Sequence, residues 1–192
     1  VPSSGIAGGA TGFGNWELSA TAFALLVKPL IALYRPLDSP VLDAVVRRIR
    51  EAAGNKTLPK ERAMRPMLRA LKENGILGVL IDQNVAWYEG VFVPFFGRPA
   101  CTTDGLALLA LHTGAPVVPG FLIREPDGRY RLEIHPEIET IPSGDRQRDV
   151  LSHTRRYTAG LEAVIRRHPD QWLWVHHRWK TQRCQIKGRG KA

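Results

Sequence analysis

Short apolar runs alternate along this chain with segments of helical apolar spacing, and this alternation restricts the fold more than any other feature. The clearest runs are LIALYR at 30–35, ILGVLIDQN at 76–84 and PVVPGFLIRE at 116–125. Each is nearly continuous in apolar residues and ends in polar or charged ones, as expected of a buried strand. Helical segments lie between them. The pattern predicts an α/β fold, with a mixed, largely parallel sheet flanked by helices on both faces.

The most distinct helix signal follows Ser39, which can cap a helix, and Pro40 suits the first helical position. Gly54 is suited to ending the same helix. Between these signals the apolar residues share one face of the helix: Leu42, Val45, Val46, Ile49 and Ala53. The opposite face carries three arginines: Arg47, Arg48 and Arg50. The segment is therefore predicted to form an amphipathic helix.

The two ends of the chain lack these patterns. Residues 1–12 are mostly Gly, Ser and Ala and are predicted to be unstructured or aberrant, whereas residues 185–192 are predicted to form a basic, flexible tail. One folded domain is expected over 13–184. The apolar stretch 18–34 is interrupted by Lys28-Pro29 and is predicted to be a helix followed by a strand, not a membrane span.

The net charge of +9 calls for an anionic partner. An anionic membrane surface, a phosphorylated small molecule, an acidic protein and a nucleic acid all qualify. The arginines are scattered over helix faces, and no nucleic-acid-binding signature is present, so no nucleic-acid partner is expected. Cys101 and Cys184 are the only cysteines, and they form no metal-binding spacing. Neither a metal nor a cofactor is predicted.

Polar side chains follow several of the predicted strands, where open α/β sheets bind their ligands. They are Asn15-Trp16-Glu17, Arg35, Asp82-Gln83-Asn84 and Gly97-Arg98. Together they offer a carboxylate, a guanidinium, amides and a tight glycine turn beside apolar residues. Taken singly, each is explained equally well as a helix cap or a turn. The set is typical of a site for a polar or anionic acceptor.

Longer segments carry a more specific resemblance. They are FGNWEL at 13–18, YRPLDSP at 34–40, LIDQN at 80–84, GVFVPFFGRPACTT at 90–103, APVVPGFLIRE at 115–125 and HPDQWLWVHHRWKT at 168–181. In order and spacing these segments resemble the lipid A biosynthesis late acyltransferases, which transfer lauroyl or myristoyl groups. The resemblance implies a glycerolipid-acyltransferase-like (lysophospholipid-acyltransferase-like) α/β fold, so that 13–184 would be an acyltransferase domain.

The resemblance also implies a reaction and its partners. Members of the family transfer a fatty acyl group from acyl carrier protein to a hydroxyl of a lipid A precursor or related phosphorylated glycolipid, without a cofactor. They work at the cytoplasmic face of the inner membrane, on an anionic membrane surface. The family's N-terminal anchor, and the strand that normally leads into its motif, have no counterpart in VPSSGIAGGA. A truncated, peripheral form is therefore expected.

The family's mechanism uses a histidine in an H-x4-D/E motif. Its imidazole takes the proton of the acceptor hydroxyl, and the carboxylate orients the imidazole. Here the acid corresponds to Glu17, and Gly12 stands where the histidine is expected. The chain is therefore expected to be an acyltransferase that lacks its base. The alternative is a non-catalytic lipid- or carrier-binding remnant of the same family.

The remaining site residues are carried over from the resemblance by position. With Glu17, Arg35 is predicted to be catalytic, by binding acceptor phosphate or sugar. Acceptor binding is predicted for Gly14, Asn15, Trp16, Asp82, Gln83, Phe96, Gly97 and Arg98. Contacts with headgroups are predicted for Arg178 and Lys180.

Overall fold

The computed structural model describes residues 5–9, 13–61, 63–175 and 177–182. Its elements, in chain order, are β1 (Gly5–Gly9), α1 (Trp16–Leu26), β2 (Leu30–Tyr34), α2 (Pro40–Glu51), β3 (Lys56–Pro59), α3 (Met64–Lys72), β4 (Ile76–Leu80), β5 (Gly90–Phe95), β6 (Arg98–Thr103), α4 (Gly105–Thr113), β7 (Val117–Arg124), β8 (Tyr130–Ile134), α5 (Arg146–Arg167) and a 3-10 turn, Pro169–Gln171.

Six strands form the main sheet, in the order β3-β2-β4-β1-β7-β8. The first five pair in parallel, and β8 pairs antiparallel with β7 at one edge. The remaining strands, β5 and β6, form a separate antiparallel hairpin. The prediction of a mixed, largely parallel sheet is therefore confirmed.

The centre of the sheet corrects the prediction for residues 1–12. Gly5–Gly9 is not unstructured but forms β1, which pairs with β4 on one side and with β7 on the other. Small residues carry no apolar pattern, yet their backbone groups can complete two ladders. The strand that was expected to be missing before the Glu17 motif is thus present. The tail predicted over 185–192 lies outside the described residues.

Both faces of the sheet are covered. Ile76 on β4 belongs to a small apolar cluster with Phe23 of α1 and Leu30 of β2. The next residue, Leu77, belongs to the larger cluster on the other face, to which α3, α4 and α5 all contribute. Successive residues of a strand point to opposite faces of the sheet. Because Ile76 and Leu77 are both buried, both faces must be covered. The prediction of helices on both faces is confirmed.

The apolar stretch 18–34 divides as predicted. α1 ends at Leu26, and β2 begins at Leu30, after Lys28 and Pro29. Among the described residues, no helix combines the length and the apolar character that crossing a bilayer requires.

α2 is amphipathic as predicted, but its apolar side faces solvent. Its start is as predicted, because the Leu42 N–H donates a hydrogen bond of 3.5 Å to Ser39 Oγ. None of its residues is buried, however, and its main apolar side chains are exposed. Arg50, which the sequence places on the opposite face with Arg47 and Arg48, instead points towards α1. This inward orientation of Arg50 shapes the site described next.

Candidate functional site

The chain enters α1 through a tight turn at Gly14. Its φ of +58° is left-handed, and an added Cβ would come within 2.8 Å of the Leu122 carbonyl oxygen on β7. Its N–H donates to the Gln171 carbonyl at 2.7 Å. Asn15 then caps α1, with its side chain accepting a 3.0 Å hydrogen bond from the Leu18 N–H. Gly14 and Asn15 therefore fix the start of the helix, and their predicted contact with an acceptor stays a prediction.

Glu17, in the first turn of α1, is held by Arg50 of α2. Arg50 Nη2 lies 2.6 Å from Glu17 Oε1, and Arg50 Nε lies 3.0 Å from Oε2, so the ion pair is bidentate. The guanidinium carbon also lies 4.7 Å from the centre of the Trp16 ring and 5.8 Å from that of Tyr34. Fork-to-fork geometry and aromatic stacking both restrict the position of the carboxylate. Arg50 is thus the part of the site that the sequence prediction missed.

A narrow apolar pocket adjoins this ion pair. Its cavity volume is about 70 Å³, which is smaller than the roughly 300–1,000 Å³ of typical small-molecule sites. Its wall comes from α1 and from the strands beneath: Trp16, Ala20, Phe23, Leu30, Gly78 and Phe121. Trp16 therefore contributes to the pocket and also stacks on the guanidinium that holds Glu17. Glu17 directly follows Trp16 in the chain, and a carboxylate close to an apolar slot suits a ligand with a reactive polar end and a hydrocarbon chain.

Arg35 lies on the loop that leaves β2. Its side chain is 76% exposed, and its Nη2 is 3.9 Å from the Asp38 carboxylate. Exposed pairs of this kind hold little energy, so the guanidinium remains accessible to an anion. Its predicted role towards acceptor phosphate stays a prediction.

Asp82 and Arg178 are both buried. Arg178 donates to the Cys101 carbonyl oxygen at 2.8 Å and to Thr102 Oγ1, both on β6. Burial lowers the pKa of Arg178 to about 10, while the charge of Asp82 acts in the opposite direction. The guanidinium is closed off from solvent, so the predicted contact of Arg178 with headgroups does not fit the structure. Asp82 interacts electrostatically with Arg178. It is also fully buried, so its predicted contact with an acceptor does not fit the structure either.

Phe96 and Gly97 form the turn between β5 and β6, both with positive φ. The Phe96 N–H donates to Glu162 Oε2 at 2.6 Å, which ties the turn to α5. Arg98 lies over the Trp179 ring at 4.9 Å. Phe96 is half-buried, whereas Gly97 and Arg98 are exposed, as are Gln83 and Lys180. Acceptor binding by the turn and by Gln83, and headgroup contact by Lys180, all stay predictions.

Comparison with known proteins decides the family. The family model described as bacterial lipid A biosynthesis acyltransferase matches residues 10–181. The chain belongs to this family. One relative is the lipid A biosynthesis lauroyltransferase of Escherichia coli K12, which is 33% identical over 170 residues. The matched region covers 86% of this chain and 53% of the relative.

Two further relatives show how wide the family is. The lipid A biosynthesis palmitoleoyltransferase of Escherichia coli K12 is 31% identical over 159 residues, with 82% of this chain and 50% of the relative covered. The phosphatidylinositol mannoside acyltransferase of Mycolicibacterium smegmatis is 27% identical over 170 residues, with 86% and 54% covered. The chain spans about half the length of the curated relatives it matches.

The assignments of Glu17 as the acid of the family motif and of Gly12 to the position of its base stay predictions, and Gly12 lies outside the described residues. Among the described residues, no group of three or more His, Cys, Asp or Glu side chains is placed to hold a metal ion. Arg50 lies 33 residues from Glu17 in sequence. No local pattern therefore joins the two residues.

Proposed function

We propose that this chain carries the acyl-transfer site of a glycolipid acyltransferase. Its donor would be a fatty acyl group on acyl carrier protein, and its acceptor a hydroxyl of a lipid A precursor or related phosphorylated glycolipid. One observation carries the proposal: Trp16 lines the apolar pocket and also stacks on Arg50, which holds the Glu17 carboxylate. An acyl chain in the pocket would thus present its thioester beside the acid of the family motif.

The reaction is a single displacement at the thioester carbonyl. The acceptor oxygen attacks the carbonyl carbon, the carbon–sulfur bond breaks, and the acceptor proton finally reaches the leaving thiolate. A base has to take that proton during the attack. Glu17, held by Arg50, would orient an imidazole placed before it, as the carboxylate of a triad does. With Gly12 at the position of the base, this chain is expected to be slow or inactive.

The charge of the chain supports the choice of partners. Acyl carrier protein is acidic and lipid A precursors are phosphorylated, and the net charge of +9 favours encounter with both. Arg35 and Lys180 are exposed cations that suit phosphate binding. The relatives are named for lipid A or for phosphatidylinositol mannoside, both glycolipids. Work at an anionic membrane surface, on the cytoplasmic face of the inner membrane, follows from the same proposal.

A second function has its own support. A non-catalytic protein that binds lipid or acyl carrier protein would keep the pocket and lose only the base. Gly12, at the position predicted for the base, favours this alternative. Both the acyltransferase and the non-catalytic protein would bind ligand in the same pocket, but only the acyltransferase would turn it over.

The proposed function is tested by acyl transfer. The unaltered chain and a Gly12→His variant are incubated with radiolabelled acyl groups on acyl carrier protein and a lipid A precursor in detergent. We expect transfer with the Gly12→His variant, and we expect Glu17→Gln in the same background to lower its rate by roughly 10- to 100-fold, because the imidazole loses its orienting partner.

Donor and acceptor are then varied separately. Acyl coenzyme A replaces acyl carrier protein in one arm, and phosphatidylinositol mannoside replaces the lipid A precursor in another. Transfer only from coenzyme A would contradict the proposed donor. Saturable binding of acyl carrier protein with no turnover by any variant would favour the non-catalytic alternative.

Gly78 lines the pocket. A Cβ added there would lie 3.0 Å from Leu30 Cδ1, so a larger residue fills the slot from the side of the sheet. We expect Gly78→Val to lower the affinity for palmitate relative to laurate by roughly 10-fold, since each buried methylene is worth about 0.8 kcal/mol. Displacement of a fluorescent fatty acid by each unlabelled acid measures this ratio without requiring turnover.

The matched control is Gly105→Val at the start of α4, where an added Cβ meets only Thr103 Oγ1, at 3.5 Å. Its ratio of affinities should equal that of the unaltered chain. An unchanged ratio in a folded Gly78→Val variant would mean that hydrocarbon does not occupy this pocket.

A further inference from the structure

The outward side of α2 carries an apolar stripe that nothing in the described chain covers. Val41, Leu42, Val45 and Ile49 are 73, 59, 51 and 65% exposed. At 3.6 residues per turn these four positions fall within an arc of about 100°. We call them the α2 stripe. Leu37, on the loop before the helix, is also exposed.

The helix cannot turn to bury this stripe without losing its own contacts. Its inward side is held by the Arg50–Glu17 ion pair. Asp43 accepts hydrogen bonds from the Leu37 N–H at 2.9 Å and from the Tyr34 hydroxyl at 3.3 Å. A surface helix ordinarily directs its apolar face towards the core. Here the polar contacts point inward and the apolar stripe outward, which is the arrangement of a surface that binds something else.

Cations border the stripe. Arg48 projects beside Val41 on the polar side of the helix, and Arg47 lies further round. An apolar arc flanked by arginines is the composition of helices that lie in the interface of anionic membranes. We propose that the α2 stripe inserts into the headgroup region of an anionic bilayer, with Arg47 and Arg48 at the level of the lipid phosphates. The α2 stripe would then be the membrane-facing surface of the acyltransferase proposed above, and in this the inference rests on the proposed function.

A second copy of the chain fits the stripe less well. Symmetric pairing would bring the Arg48 side chains of the two copies together across a small patch. A helix of 12 residues is about 18 Å long, and its four exposed side chains cover much less than the roughly 800 Å² per partner of a stable interface. A bilayer requires neither self-complementarity nor a large patch.

The position of the stripe also suits the candidate site. Arg50 and the stripe lie on opposite sides of the same helix. A helix with its side chains is about 10–12 Å across, so a bilayer at the stripe would lie within about that distance of the Glu17–Arg50 pair. A lipid acceptor could then reach the site while its chains remain in the bilayer.

Flotation with vesicles tests this surface. The full chain is mixed with vesicles of phosphatidylcholine alone, or of phosphatidylcholine and phosphatidylglycerol in equal parts. We expect binding to the anionic vesicles, and we expect Val45→Ser/Ile49→Ser to weaken it by ~10- to 100-fold, because two inserted side chains lose their apolar carbons. Arg47→Glu/Arg48→Glu should remove the preference for phosphatidylglycerol.

The matched control is Met64→Ser/Leu151→Ser, which changes two exposed apolar residues on α3 and α5. It should bind vesicles like the unaltered chain, and thermal unfolding should show both serine variants as stable as that chain. Full vesicle binding by Val45→Ser/Ile49→Ser would overturn the proposal. A dimer of the unaltered chain that the same variant dissociates would overturn it in favour of a second copy.

Transfer by the Gly12→His chain in detergent separates this inference from the proposed function. If Val45→Ser/Ile49→Ser abolishes vesicle binding but leaves transfer in detergent intact, the result supports both the membrane-binding surface and the proposed function. Vesicle binding that depends on the stripe, with no transfer in detergent, supports the surface and contradicts the proposed enzyme.

Discussion

Replacing Gly12 with histidine is expected to raise the rate of acyl transfer by roughly 10²- to 10⁴-fold, the usual contribution of a positioned general base. The substitution recreates H-x4-E with Glu17, and Glu17 is already held by Arg50 at 2.6 Å. The orienting half of the dyad is therefore in place. Initial rates with acyl carrier protein as donor, compared with those of the unaltered chain, measure the gain.

A second form of the change removes ambiguity about spacing. Inserting a histidine after Gly12 also gives H-x4-E but adds one residue between β1 and the Gly14 turn. The better of the two variants shows which spacing from β1 places the imidazole correctly. Gly12→Gln, which is polar but cannot act as a base near neutral pH, is the control and should give no gain. Equal activity of the unaltered chain and both histidine variants would mean that another residue supplies the base.

Apolar pattern was sufficient to predict the strands whose side chains are buried on both faces. β2, β4 and β7 each lie within a predicted run, and α2 begins at the predicted cap. β1 could not be predicted in this way, because Gly and Ala carry almost no apolar signal. Its place follows from the backbone ladders of β4 and β7, which flank it and come later in the chain.

The orientation of α2 escaped prediction for a related reason. Helical periodicity separates Leu42 and Ile49 from Arg47 and Arg48 but cannot tell which side faces the protein. That choice depends on Glu17, 33 residues from Arg50 in sequence. The sequence analysis therefore included Glu17 among the site residues but missed Arg50, which holds it.

Contact of Arg178 with headgroups was predicted by position, from the family resemblance. The partners of Arg178 on β6 lie 77 and 76 residues away, so no local pattern reveals them. Charged residues are rarely buried unless they are paired, and the sequence gives no sign of the pairing. The same distant contacts make this residue a strong test of the fold.

Arg178→Met is expected to lower the free energy of unfolding by about 2–4 kcal/mol, because two acceptors on β6 lose a buried donor and each unsatisfied group costs about 1–3 kcal/mol. Arg178 is only 1% exposed and Asp82 is fully buried, so the substitution leaves a carboxylate without its nearby cation. The Cys101 carbonyl and the Thr102 hydroxyl lose a donor as well. Because domains of this size are stable by about 5–15 kcal/mol, the loss should be plain in urea unfolding at neutral pH.

Two companion variants identify the cause of the loss. Lys180→Met removes an exposed cation from the same segment and should change the free energy of unfolding by less than about 0.5 kcal/mol. Asp82→Asn combined with Arg178→Met should be more stable than Arg178→Met alone, because the buried charge that Arg178 offsets is then removed as well. Arg178→Met with an unchanged urea midpoint would contradict the buried position of Arg178. If instead the double variant is no more stable than the single one, the whole loss comes from the hydrogen bonds to β6.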